Sequence, residues 1–233
     1  MNEVIKLYHG SENIIQKPLY NYGKTDNDYG RGFYCTKEIE LAKEWACQKD
    51  KDGFVNFYSL DTGKLNILYL NSKKSSVLHW LSILVKNREV DDLENTEAVE
   101  FLIKNFSINM SKYDLIIGYR ADDSYFTFAR DFINDAITLQ SLTKAMRLGK
   151  LGLQVMVKSE EAFNRLQYIG SEHVSKNVYY TKYKERDGEA RNSYRELRKE
   201  PKSNGLIITE IIKNPQLLKD FEQSQKKDFS YSR

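Results

Sequence analysis

The run Asp28-Tyr29-Gly30-Arg31-Gly32-Phe33-Tyr34-Cys35-Thr36 restricts what this chain can fold into more than any other stretch. Two glycines one residue apart let the backbone turn sharply and let a flat ligand lie against it, and they open directly into an aromatic strand. Gly-x-Gly alone also describes an ordinary hairpin corner. The stretch gains meaning from His9-Gly10-Ser11 upstream. Val4-Ile5-Lys6-Leu7-Tyr8-His9 has the composition of a short strand, ended by Gly10-Ser11. A histidine there is either structural or points into a cleft with one ring nitrogen donating and the other accepting. The loop from Glu12 to Asp28 carries Pro18, Gly23 and several Asn and Asp residues, which is turn chemistry, and is expected to cross that cleft.

A chain of 233 residues suits one domain with a tail or one large domain, with room for a sizeable core. Its two cysteines, Cys35 and Cys47, make no disulfide framework and lack the His/Cys company zinc requires, so no metal and a reducing, cytoplasmic setting are expected. Met1-Asn2-Glu3-Val4 lacks the basic start of a signal peptide, and no stretch approaches the ~18 apolar residues of a membrane span. A soluble protein with no membrane partner follows as the expectation. Tyrosine is abundant, 16 residues, and its apolar ring with a polar tip suits half-wet pockets as well as cores.

Thr36 is the expected N-cap of a helix running to about Gln48, with Trp45 either in the core or forming the second wall of an aromatic slot opposite Tyr34. The β-rich runs 54–60 and 65–70 flank Asp61-Thr62-Gly63-Lys64 and predict a hairpin. Helical spacing covers 75–86 and 94–106, with His79 structural or on the surface. Tyr113 to Tyr119 is an apolar strand fit for the middle of a sheet, and it delivers Arg120, Asp122 and Asp123 at its end. One of those acids either caps the helix beginning near Ser124 or faces a ligand together with Arg120. A helical pattern runs to about Leu148, and the strand Leu153 to Lys158 follows the break at 149–152, with Gln154, Met156 and Lys158 on one face. Ser159 caps a short helix, and 167–170 closes the set as a strand. We found no internal repeat, P-loop, Gly-x-Ser-x-Gly or metal-ligand cluster.

Three pieces in this order resemble a known superfamily. Leu7-Tyr8-His9-Gly10-Ser11, then Tyr29-Gly30-Arg31-Gly32-Phe33-Tyr34 with an aromatic eleven residues after Tyr34, then the strand containing Gln154 and a short helix, are similar to diphtheria-toxin-like ADP-ribosyltransferases. This is the His-Tyr-Glu branch that holds the poly-ADP-ribose polymerases. Residues 4 to about 198 look closest to an uncharacterised bacterial family of that superfamily, often encoded beside a small partner in toxin–antitoxin style. The resemblance implies that His9 bonds the adenosine ribose of NAD and that Gly10 and Ser11 hold the nicotinamide amide. It implies that Gly30 and Gly32 shape the NAD site, that Tyr34 stacks on the nicotinamide and that Trp45 lies opposite. Arg120, Asp122 and Asp123 are added from the neighbouring strand end. Where the family has a catalytic glutamate this chain has Gln154, which can hydrogen-bond the ribose but carries no charge for an oxocarbenium-like transition state. The acid can come from Asp122 or Asp123, the enzyme can be slow, or the chain can bind NAD without turning it over.

Beyond about residue 175 the composition changes. Between 176 and 202 nine basic residues oppose five acidic ones, interleaved with tyrosines, which suits a nucleic acid, an acidic partner or simply a solvated helix face. The apolar run 205–212 has to pack on the domain or on a partner. The sequence therefore predicts an α+β fold, an ADP-ribosyltransferase-like split and mostly antiparallel β-sheet with surrounding helices, spanning 1–175, and a basic helical extension over 176–233. The expected function is a mono-ADP-ribosyltransferase that moves ADP-ribose from NAD to a macromolecular acceptor, protein or nucleic acid, with release of nicotinamide. As the toxin of a toxin–antitoxin or phage-defence system it would have a small antitoxin as partner. The alternatives are a non-catalytic NAD or nucleotide-binding module and a nucleic-acid-binding protein that works through the tail.

Overall fold

The computed structural model describes residues 3–72, 76–88, 94–121, 123–148 and 152–221. Seven strands form one sheet: β1 (Val4–Ser11), β2 (Phe33–Thr36), β3 (Gly53–Asp61), β4 (Ile67–Tyr69), β5 (Leu115–Tyr119), β6 (Leu153–Val157) and β7 (Leu166–Val174). Their order across the sheet is β4-β5-β6-β2-β1-β3-β7, and only the β4–β5 pair is parallel. Helices surround it, among them α1 (Ile39–Ala46), α2 (Val77–Asn87), α3 (Thr96–Phe106), α4 (Asp123–Ile133), α5 (Leu139–Ala145), α6 (Glu160–Asn164), α7 (Lys176–Leu197) and α8 (Ile208–Lys213). A mixed fold with a mostly antiparallel sheet is thus the architecture. No helix of the described residues is long and apolar enough to cross a membrane.

The sheet is covered on both faces, and β6 records this in its sequence. All of Gln154, Val155, Met156 and Val157 are buried, so the strand is apolar on both sides instead of alternating with polar residues. Val155 and Val157 pack with Ile5, Leu7, Leu60, Leu115 and Ala162. Met156 points the other way, into a larger cluster built by Trp80, Leu81, Phe128, Phe132 and Leu142 of α2, α4 and α5. The period of two places Gln154 on the Met156 side.

Three expectations are corrected. The runs 54–60 and 65–70 form no hairpin: β3 pairs with β1 and β7, and β4 lies at the far edge beside β5. The turn itself is present, with Asp61 Oδ1 accepting from Gly63 N at 2.8 Å and Lys64 at φ 64. Both edges of β3 are taken, so the chain leaves, and five residues connect it to β4, with Leu60, Leu65, Ile67 and Leu115 in one cluster. Thr36 does not cap α1; it is the last residue of β2, and Glu38 holds the cap position, while Thr36 Oγ1 accepts from Glu38 N. The closing strand is longer than the 167–170 pattern, because β3 supplies nine residues of edge for β7. Pattern and structure agree elsewhere to within a few residues, including Ser159 as the cap of α6 and His79 as a structural residue that caps α2 with Ser76.

The C-terminal segment docks on the domain. Glu44 of α1 and Arg186 of α7 form a nearly buried ion pair at 2.6 Å, and Tyr194 donates to Asp131 of α4 at 2.7 Å. Ile208 and Ile211 are fully buried in the large cluster, which answers where the 205–212 run packs. Basic residues of this segment pair within the chain: Lys182 and Arg191 of α7 with Glu40 and Asp187, Arg198 at the helix C-cap with Asp131, and Lys199 just beyond it with Glu196.

Candidate functional site

A cleft of about 1060 Å³ opens where the ends of β1, β2, β5 and β6 meet the 12–32 segment. Its size is at the upper end for small-molecule sites. His9, Gly10, Gly32, Tyr34, Trp45, Arg120 and Gln154 all line it, although they come from four elements and the loops between them. Lys17, Lys24, Arg88 and Arg120 on its walls outnumber Asp26 and Asp28, so the hollow suits a ligand with negative charge.

His9 sits at the end of β1 and its Nδ1 lies 2.6 Å from the carbonyl oxygen of Tyr34. A carbonyl only accepts, so Nδ1 carries the proton and Nε2 of the neutral ring is an acceptor. Burial pushes the imidazole pKa below its ordinary value of 6.5, against the smaller upward pull of that bond, and Phe33 stacks on the ring at 4.4 Å. Tyr34 is locked as well. Its hydroxyl donates to the Gly30 carbonyl at 2.6 Å and accepts from Tyr29 N at 3.0 Å, which ties the strand to the turn that precedes it. Burial drives its phenol pKa far up, so the ring stays neutral.

The glycines have separate jobs. Gly30 has φ 81, a left-handed conformation that side chains resist, and turns the chain without lining the cleft. At Gly32 a Cβ would strike the Met156 side chain and come within 2.9 Å of the Val157 carbonyl, so the missing side chain lets β2 start flat against β6. At Gly10 a Cβ would run into the backbone of Ala42 and Ala46 in α1. Ser11 is turned away: its hydroxyl donates to Asn13 O at 2.5 Å and accepts from Asn56 Nδ2 at 3.2 Å, holding the loop instead of lining the cleft. Trp45 is on the wall, with the Arg120 guanidinium 4.4 Å over its ring and its indole Nε1 buried without a hydrogen-bond partner among the described residues.

Asp122 lies outside the described residues, as does the side chain of Asp123, at which α4 begins. The acid that the structure places beside Gln154 is Asp28. Its Oδ2 accepts from Gln154 Nε2 at 2.9 Å and from Ala121 N at 2.8 Å, and its Oδ1 accepts from Arg88 Nη1 at 3.1 Å. Arg88 also donates to Ala121 O at 2.8 Å. Gln154 Nε2 makes a second bond to the Tyr119 carbonyl at 3.2 Å, an oxygen shared with Trp80 Nε1 and the Tyr29 hydroxyl. Because a carboxylate and a carbonyl can only accept, the orientation of the amide is fixed and both its hydrogens are committed. Sequence reasoning quoted Asp28 as the start of the organising run but gave it no role, and it missed Arg88.

A family model described as "Protein of unknown function (DUF3990)" matches residues 5–168. The chain belongs to the DUF3990 family. No curated protein and no solved structure matches it. The DUF3990 region holds His9, Asp28, Tyr34, Trp45, Arg88, Arg120 and Gln154. Tyr183, from α7, lines the cleft from beyond that region, so the segment outside the family match still contributes to the wall.

Proposed function

We propose that this DUF3990 protein is an ADP-ribosyltransferase whose NAD lies in the cleft between His9, Tyr34 and Gln154, on an ADP-ribosyltransferase-like sheet. The observation that carries the reading is convergence: three side chains 25 and 120 residues apart along the chain line a single hollow. The excess of cationic side chains on its walls supports a diphosphate-bearing ligand. In the reaction the bond between ribose C1′ and the nicotinamide nitrogen breaks, and its electron pair leaves with nicotinamide. An acceptor heteroatom then bonds C1′ and releases a proton. His9 Nε2 accepts from a ribose hydroxyl, the Tyr34 ring stacks on the nicotinamide, and Gln154 bonds the second ribose. No metal takes part in this scheme.

The reading is tested by mixing the protein with NAD and following free nicotinamide. Release that His9→Ala and Tyr34→Ala abolish supports it, and no release with unchanged melting in NAD overturns it. A second reading, a module that binds NAD or another nucleotide without turnover, is favoured by the uncharged Gln154, since losing an ionised partner at such a position costs on the order of 3 kcal/mol of transition-state stabilisation. It predicts protection from heat by NAD with no nicotinamide released. The resemblance extends to a cytoplasmic toxin neutralised by a small antitoxin, with a protein or nucleic acid as acceptor. Growth arrest on expression, relieved by His9→Ala, is the expected outcome, and unimpaired growth of producing cells counts against it.

A further inference from the structure

We propose that Asp28 is a positioning residue of this site, acting through Gln154. The inference rests on the transferase reading above. Asp28 is only 8% exposed and receives three donors: the Gln154 amide, the Ala121 backbone N–H and the Arg88 guanidinium. It reaches the end of β5 from the run before Gly30, and it meets β6 through Gln154, so one carboxylate ties together the segments that form the cleft floor.

A free glutamine side chain turns about its terminal torsion and offers a ligand either its oxygen or its nitrogen. Asp28 and the Tyr119 carbonyl remove that choice by engaging Nε2 twice. The remaining polar atom, Oε1, is the acceptor that a ribose hydroxyl needs. The carboxylate also polarises the amide it holds, which raises the negative character of Oε1. Arg88 offsets part of the Asp28 charge, so the effect reaches the ligand as orientation and polarisation, in place of the full charge of a glutamate. Asp122 and Asp123 are not needed for this arrangement.

The test uses the full chain and three variants: Asp28→Asn, Gln154→Glu and the two combined. Gln154→Glu sets two carboxylates about 3 Å apart, and a Tm fall of about 5–10 °C is expected. Adding Asp28→Asn restores an amide–carboxylate pair with the charge moved to position 154, and is expected to recover most of that loss. Equal Tm losses that simply add would show that the two side chains do not couple and would overturn the proposal without any activity measurement. In NAD turnover, Asp28→Asn is expected to lower kcat about tenfold or more with KM changed less than threefold, and the combined variant to exceed both single ones. Unchanged kcat in a folded Asp28→Asn protein overturns the proposal while leaving the transferase reading intact. A wild-type protein that neither binds nor cleaves NAD sinks that reading, and the ligand-directed role of Asp28 with it, even where the Tm coupling is present.

Discussion

His9 donates from Nδ1 to the Tyr34 carbonyl at 2.6 Å, so the two residues proposed to contact opposite parts of one dinucleotide are joined by a hydrogen bond across β1 and β2. The bond sets the tautomer and leaves Nε2 as the acceptor. Protonation of the ring removes that acceptor. Because burial lowers the folded-state pKa below 6.5, the native state binds its proton at lower pH than the unfolded chain does. The contribution of His9 to stability is therefore complete above the unfolded value and is lost as the pH falls from there through the lowered folded one. Expected outcomes are NAD affinity that stays constant at and above pH 6.5 and weakens only on acidification below it, and a stability slope between pH 5 and 7 that flattens in His9→Gln. Calorimetric titration and thermal melts over that range check both, and an unchanged slope in the variant would remove the buried neutral imidazole from the account.

The Tyr34 hydroxyl serves the turn, and the ring serves the cleft. Tyr34→Phe leaves Tyr29 N without its acceptor in a half-buried place and frees the Gly30 carbonyl. A loss of about 1–3 kcal/mol of stability is expected, with NAD affinity falling less than it does in Tyr34→Ala. Urea melts together with NAD binding on both variants measure the separation. Equal affinity losses in the two would place the hydroxyl, not the ring, against the ligand.

Gly10→Ala tests whether the close seat of α1 on β1 matters for the cleft. The new Cβ meets the backbone of Ala42 and Ala46, which cannot rotate away as a side chain can, so α1 has to move and Trp45 moves with it. A destabilisation of about 2–3 kcal/mol and a clear drop in NAD affinity are expected. Intrinsic tryptophan fluorescence should shift as well, because the ring loses its place against Arg120. A variant with wild-type melting and emission would show that the helix sits more loosely than these contacts imply.

Much of this site was legible from local pattern, and its failures share one cause. His9, Tyr34 and Gln154 stand at strand ends, where strand periodicity and glycine punctuation mark both position and facing. The acid beside Gln154 was sought at Asp122 and Asp123 because they are neighbours of the β5 end in sequence. Asp28 reaches the same end from 93 residues away, through a bond to Ala121 N that no local pattern encodes. Arg88 sits at the C-cap of α2, where a cation is ordinary helix chemistry and gives no hint of a partner 60 residues upstream. The false hairpin arose likewise: Asp-Thr-Gly does make a turn, but strand partners depend on which edges other strands have already taken. Long-range pairing decided each of these.

The last prediction concerns the boundary at residue 175, drawn where the composition turns basic. In the structure that boundary cuts through the large core, since Tyr194, Ile208, Ile211 and Leu218 are buried in the same cluster as Trp80 and Phe132. Phe128 and Tyr194 have ring centroids 4.0 Å apart, and Tyr194 also donates to buried Asp131. Removing 176–233 therefore takes away several buried side chains, each worth about 2–5 kcal/mol, and leaves Glu44 without Arg186 at a nearly buried site. Summed losses of that size exceed the stability of an ordinary domain, so a 1–175 fragment is expected not to fold. Arg186→Ala alone is expected to cost about 3 kcal/mol. Circular dichroism melts and limited proteolysis of the fragment decide the matter: a cooperative transition within a few degrees of the full chain would mean that α7 and α8 rest on a domain complete without them.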